Sequence, residues 1–323
     1  RLIGDIDSQQ LTYEILLERY VNKIFKRVKN IHNQKVLFNK DGTLKSEEDI
    51  LEIADMYDLE RISTKTAIDY CGRVKSFLIW GQKRKHFDSD LMLAFEDITA
   101  IKDDESNTER YSSDDLKALF MNEDFENGTW HYHYVFRHWG MLLALYTGAR
   151  AGEICQIHLE DIKKSADGVW YISLVDEDEN RRLKTKASKR NVVIHKHLID
   201  LGFLRYVDHV KDRGHTQLFE GCKANEYGIW HRKLTDWFRK YKNQKNIVAS
   251  KGKKKVFHSF RHTFIDQCKQ QGLDESKTIE LVGHEGLKST HRLYQRKYDL
   301  KTLRMHINKI DFGLDLKKIK KWR

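Results

Sequence analysis

One run constrains the fold of this chain more than any other: "HYVFRHWGMLLALYTGARAGEICQIHLEDI", residues 133–162. Up to Gly148 it is apolar on nearly every side, so a helix built from it has no face to offer water and must be enclosed by other elements. Its apolar heart, "WGMLLALY", is far short of the roughly 20 residues that cross a bilayer, so the enclosure is protein and nothing anchors the chain to a membrane. Past Gly148 the chain turns and resumes helically.

The rest of the 323 residues supplies that enclosure and more. "LTYEILLERYVNKIFKRVKNI" has apolar residues at helical spacing and a basic second half, which predicts a helix presenting lysines on one side. Ser63 reads as the N-cap of a second helix, with Ala67, Tyr70, Cys71, Val74 and Leu78 on one face and the basic exit "GQKRKHF". The acidic stretch "DITAIKDDESNTERYSSDD" reads as a linker, with Ser112 or Ser113 capping the helix of "DDLKALF". We therefore expect a helical domain over 1–106 and a second domain over 107–323. In the second, "GVWYISLVD", "RRLKTK" and "RNVVIH" are short, alternating and β-rich, and predict a small antiparallel sheet. Helical patterns return from "IWHRKLTDWFRKY" onward. The class is mainly α with a small antiparallel β-sheet (α+β), and no internal repeat is visible.

Lys and Arg number 59 against 48 acidic residues, a net charge of +11, which points to a polyanionic partner, nucleic acid first. Cys71, Cys155, Cys222 and Cys268 are widely spaced, form no CxxC pair and follow no secretory segment. They read as reduced, ordinary residues of a cytoplasmic protein. Proline is absent, where average usage would give about 16; nothing in the sequence explains this.

Three segments could carry chemistry. In "KVFHSFRHTF", Phe260, Phe264 and Cys268 recur every four residues as a buried stripe, which leaves His258 and Arg261 to reach one object together from another face. A guanidinium fork beside an imidazole suits a phosphate. A zinc-protease reading of His258 and His262 fails, because Ser259 stands where the basic glutamate would be and no third ligand is evident. In "LYTGARAGEICQI", Gly148 and Gly152 flank Arg150, and Glu153 is spaced to orient it. In "LVGHEGLKSTHRLYQRKY", Gly283 closes a helix, His284 follows, and Tyr294 and Tyr298 lie one helical turn apart. A phenol, with pKa near 10, becomes a nucleophile only where cations stabilise the phenolate or the phosphorane it forms.

Taken in order, "TGAR..E", "KTKASKR.V", "HSFRHTF" and "LVGH" with a downstream tyrosine resemble the tyrosine site-specific recombinases, the phage integrase family, from about Ser63 to Tyr298. The resemblance implies a catalytic domain preceded by a helical core-binding domain that together close a basic clamp on double-stranded DNA. Arg150 and Arg261 would hold the scissile phosphate, His284 would add a hydrogen bond, and His258 would accept the proton of Tyr294 as it attacks to leave a 3′-phosphotyrosine. A hairpin lysine would protonate the leaving 5′-oxygen; Lys184 and Lys186 both fit, and Lys184 is preferred because "KT" opens the strand turn. Glu153 would position Arg150. Tyr294 is preferred over Tyr298 because Thr290 precedes it by four, although its spacing from His284 is one residue longer than in many members. Val193 and Phe257 stand where relatives often carry proline.

Such chemistry conserves the phosphodiester energy, so no ATP, metal ion or other cofactor is expected, and no Gly-rich phosphate loop or carboxylate pair for Mg²⁺ is evident. The implied partners are double-stranded DNA, accessory DNA-bending proteins and further copies of the chain, monomeric in solution and tetrameric on DNA, in a bacterial or phage-infected cytoplasm. The tail "DLKTLRMHINKIDFGL" places Leu300, Leu303, Ile307 and Ile310 at helical spacing, and could dock on its own domain or on a neighbouring protomer. The runs "QKRKHF", "KGKKK" and "LKKIKKWR" are expected to meet phosphates. Two further readings remain on the sequence alone: topoisomerase IB-like or telomere-resolvase activity, and a catalytically silent DNA-binding regulator of the same fold.

Overall fold

A computed structural model describes residues 10–86, 89–96, 98, 107–131, 133–175, 188–226, 228–283 and 297–323. The chain divides into two compact units, Arg1–Glu105 and Ser106–Arg323.

In the first unit, α1 runs over residues 13–24 with a wider π turn at Leu17–Val21. It is shorter than its pattern predicts, because the basic half leaves the helix. Val28 forms a bridge with Arg61, Lys29 N–H donates to Glu60 O at 2.8 Å, and Asn30 turns left-handed at φ 52°. Helix α2 (Glu47–Met56) is absent from the sequence-based expectation, although Ser46 caps it from Asp49 N at 3.1 Å and three acids fill its first turn, as the helix dipole favours. Helix α3 (Thr64–Gln82) starts at the expected cap, with Ser63 Oγ accepting from Thr66 N at 3.2 Å. Ala67, Cys71 and Leu78 of α3 pack with Leu16 and Ile24 of α1 and with Leu91, Ala94 and Phe95. Val28, Leu37, Ile50 and Ala54 form a smaller cluster.

The second unit begins with α4 (Ser113–Phe120), capped by Ser112 through a reciprocal pair with Asp115. Helices α5 (Glu123–Glu126) and α6 (Phe136–Thr147) follow, and α6 is the enclosed helix the sequence demands: Trp139, Leu142, Leu143, Ala144 and Leu145 are at most 1% exposed. Burying each large apolar side chain contributes roughly 1.5–3 kcal/mol before entropy is counted. After α7 (Ala151–Cys155) the chain forms an antiparallel sheet in the order β1 (Ile162–Lys164), β2 (Trp170–Leu174), β3 (Arg190–Val193), registered at Ile162↔Ile172 and Tyr171↔Val193. Strand β1 has no counterpart in the sequence-based expectation, and "RRLKTK" lies outside the described residues. Then come α8 (Lys196–Asp200), α9 (Phe203–Asp212), α10 (Arg232–Gln244), α11 (Ser259–Gln270), α12 (Glu275–Val282) and α13 (Leu300–Ile307). Among the described residues no helix is long and apolar enough to cross a membrane.

The tail docks on its own unit. Leu303, Ile307, Ile310, Phe312, Leu314, Ile319 and Trp322 all join the core that surrounds α6. Two backbone bonds fasten the last residues, Lys320 N to Phe125 O at 2.8 Å and Trp322 N to Leu201 O at 2.9 Å. "LKKIKKWR" is thus an anchored segment whose lysines face outward and whose Ile319 and Trp322 face inward. Phe257, at a position of the implied proline, fills core space edge-on to Phe238 and Phe260 at 5.3 and 5.4 Å between ring centres.

Candidate active site

The site starts at the end of the enclosed helix. Gly148 closes α6 in the left-handed region at φ 63°, and a Cβ there would sit 2.7 Å from the Phe264 ring and 3.0 Å from Val282. Only glycine meets both the backbone and the space requirement. The close approach lets α11 and α12 press against the turn that carries Arg150, so the arginine is mounted on a rigid corner.

Arg150 is the N-cap residue of α7, and Glu153 closes the turn by accepting from Arg150 N at 2.8 Å. The other carboxylate oxygen accepts from Arg150 Nη1 at 2.8 Å, and Arg150 Nη1 also reaches Ser188 Oγ at 3.1 Å. Arg190, at the start of β3, grips the same carboxylate from the other side, with Nη1 and Nη2 at 3.2 and 3.0 Å. It is itself held by Leu281 O at 2.7 Å from Nε and by Ser188 O at 3.0 Å from Nη1. Burial alone would push the Glu153 carboxyl up. The Arg190 charge and hydrogen bond, with those of Arg150, outweigh it and hold the group below the usual carboxylate range.

Arg261 completes the group. It lies on the buried side of α11, 3% exposed, and its Nη1 donates to Gly148 O at 2.9 Å. Its Nη2 has no hydrogen-bond partner among the described residues. Burial first, and then the positive charges of Arg150 and Arg190, push its guanidinium down to about 9. Two guanidinium groups thus share one carboxylate and a third, Arg261, lies within reach of their charges, an excess of positive charge in a partly dry corner that an anion would neutralise. Tetrahedral phosphate oxygens match the forked donors.

His258 stands exposed just before α11, its ring edge-on to His262 at 5.2 Å. The spacing argument put His258 and Arg261 on one face; the helix instead turns Arg261 into the core, leaving His258 at the rim. Tyr298 is also exposed, with its N–H donating to Glu280 Oε2 at 3.3 Å and the Lys277 ammonium 4.7 Å from its ring centre. Lys184, Lys186, His284, Thr290 and Tyr294 lie outside the described residues. Sequence reasoning missed Arg190 and Ser188. Their only signal was membership of "KTKASKR.V", where nothing local tells an ion-paired arginine from a strand-edge one.

Known proteins share parts of this chain. The integrase of Enterobacteria phage P21 is 30% identical over 164 residues, which cover 47% of this chain and 38% of that protein's length. Among solved structures, the integrase of mycobacterium phage Brujita covers 97% of this chain and 93% of its own at 16% identity, with a TM-score of 0.42. XerH site-specific recombinase, solved on palindromic difH, covers 77% of this chain and 65% of its own at 15% identity, with a TM-score of 0.49. The model of the phage integrase family matches residues 109–301, more than half of the sequence and every motif quoted above, and the chain belongs to that family.

Proposed function

We propose that the protein is a site-specific DNA recombinase that cuts and rejoins double-stranded DNA through a tyrosine-linked intermediate. The observation that carries this reading is the pairing of Arg150 and Arg190 on the single carboxylate of Glu153, with the buried Arg261 close enough to feel their charges and holding Gly148 O of the same turn, inside a chain of the integrase family.

In this mechanism Arg150 and Arg261 hold the non-bridging oxygens of the scissile phosphate and stabilise the charge that builds on them in the pentavalent transition state. Glu153 and Arg190 are positioning residues: they fix the Arg150 fork before DNA arrives, so little reorganisation remains at the moment of reaction. The Tyr294 oxygen attacks phosphorus and its proton passes to His258. The bond from phosphorus to the 5′-oxygen breaks, and that oxygen takes a proton from Lys184. His284 donates to a phosphate oxygen. Rejoining reverses these steps with a 5′-hydroxyl of another strand, so the phosphodiester energy is retained and neither ATP nor a metal ion is required.

The first unit acts as the core-binding domain, and the exposed lysines of "QKRKHF", "KGKKK" and the tail contact phosphates. Four copies assemble on two DNA duplexes in the cytoplasm, with accessory DNA-bending proteins shaping the site. The test is to incubate the protein with supercoiled plasmid in EDTA beside Tyr294→Phe. Relaxed topoisomers and covalent protein–DNA adducts that vanish in the variant support the reading. Adduct retained by the variant transfers the nucleophile to Tyr298, and adduct absent from both proteins, even on DNA selected for binding, refutes the cleavage chemistry.

A further inference from the structure

Helix α3 has a second stripe that its packing does not use. Tyr70, Arg73, Phe77, Trp80 and Arg84 follow one another at alternating steps of three and four residues, so their side chains leave one side of the helix and the turn that ends it. All five are exposed. Helix α3 packs on its core through Ala67, Cys71 and Leu78, with Ile68 and Val74 beside them, and none of the stripe residues belongs to that set. Phe77 and Trp80 are nevertheless 56% and 47% exposed, an aromatic patch facing solvent of the kind that marks a binding surface.

The rings are ordered as a stack. Phe77 and Trp80 lie 5.8 Å apart and 18° from parallel, and Trp80 and His86 lie 6.0 Å apart and 27° from parallel. The Arg84 guanidinium sits 4.6 Å from the centre of the Trp80 ring. From Tyr70 to His86 the chain carries five Lys or Arg residues and no Asp or Glu. At 1.5 Å per residue the stripe from Tyr70 to Trp80 is about 15 Å long, enough for several nucleotides. Flat π faces with cations beside them recognise the faces of bases and their phosphates. A duplex hides its base faces, so such a stripe is suited to single strands, where base stacking on aromatic rings is tolerant of sequence.

We propose that the Tyr70–Arg84 stripe of α3 binds single-stranded DNA by stacking unpaired bases on Phe77 and Trp80, while Arg73, Arg84 and Lys85 meet the phosphates. The inference rests on the proposed recombinase activity, in which cleavage and strand exchange release unpaired nucleotides next to the protein. It gives the first unit a role separate from duplex binding, that of retaining a strand between release and rejoining.

The test measures fluorescence anisotropy of the full chain with a labelled single-stranded 20-mer and with the matching duplex, for wild type, Trp80→Ala, Phe77→Ala/Trp80→Ala and Trp80→Phe. Thermal unfolding checks that the variants fold, as exposed positions should allow. The expected result is a loss of single-strand affinity on the order of tenfold or more in the alanine variants, unchanged duplex affinity, and near-wild-type binding by Trp80→Phe. Equal losses on both DNAs, or no loss on the single strand, overturn the proposal. Unchanged single-strand affinity with an altered oligomeric state by light scattering also overturns it and assigns the stripe to a second copy of the chain. Wild-type protein that binds duplex but no single strand sinks this inference and leaves the recombinase reading standing; protein that binds neither DNA removes both.

Discussion

Glu153 is the residue on which the arginine group depends, because two of its guanidinium partners would repel each other without it. Glu153→Gln keeps the shape and removes the charge, and should destabilise the protein by about 3 kcal/mol at pH 7, as expected for breaking a buried ion pair from one side. Since the folded carboxyl is held below its unfolded value, its contribution is present above the ordinary carboxylate range and fades as pH falls through the folded value. Denaturant titrations of both proteins should therefore converge at low pH. Replacing Arg261 by alanine should lower the cleavage rate by roughly 100- to 1000-fold, read as covalent adduct formed per unit time on bound DNA. Gly148→Ala meets the Phe264 ring in a left-handed conformation, and should cost about 2–4 kcal/mol in thermal stability while displacing the carbonyl that Arg261 uses.

At the scale of elements, the C-terminal segment behaves as part of the core. Truncation after Asn308 removes Ile310, Phe312, Leu314, Ile319 and Trp322, all at most 9% exposed. Calorimetry should show a large drop in the unfolding temperature, or no cooperative transition, before any question of assembly arises. Reversing the outward charges Lys317, Lys318, Lys320 and Lys321 to glutamate should leave that temperature nearly unchanged. It should instead weaken duplex binding and flatten its salt dependence by about 0.9 logarithmic units for each DNA phosphate that the tail no longer neutralises. The α3 and α11 patterns are readable because each has one clear apolar period, and α6 because its run is apolar on nearly every side and stops at Gly148. The β1 strand and α2 are not: three residues carry too little periodicity, and α2 is too acidic to stand out by hydropathy although its cap is in plain sight.

For the whole molecule, buried histidines set a pH limit apart from the active site. His138 and His195 are both 0% exposed. Burial holds His138 well below its ordinary value and His195 at about 3. Unfolding lets both take up a proton once pH drops below about 6.5, so each can remove up to about 1.4 kcal/mol of stability per pH unit below that point. Stability measured by urea unfolding should be flat from pH 8 to 7 and fall steadily toward pH 5, and His138→Phe should make that slope shallower.

By itself the sequence determined the mainly helical class, the enclosed helix of residues 136–147 and the caps at Ser63 and Ser112; Arg150, Glu153, His258 and Arg261 stood out as candidates only through the family resemblance of the motifs that hold them. The class, the helix and the caps are local properties: periodicity says which side of an element is apolar, and a glycine or cap residue says where it stops. Only the tertiary structure decided that Arg190, 37 residues beyond Glu153, shares its carboxylate, that Arg261 faces the core and His258 the rim, and that the tail lies on its own unit. Each of these depends on which surface covers which, and closing the chain around α6 settles that through packing and charge balance among groups far apart in sequence.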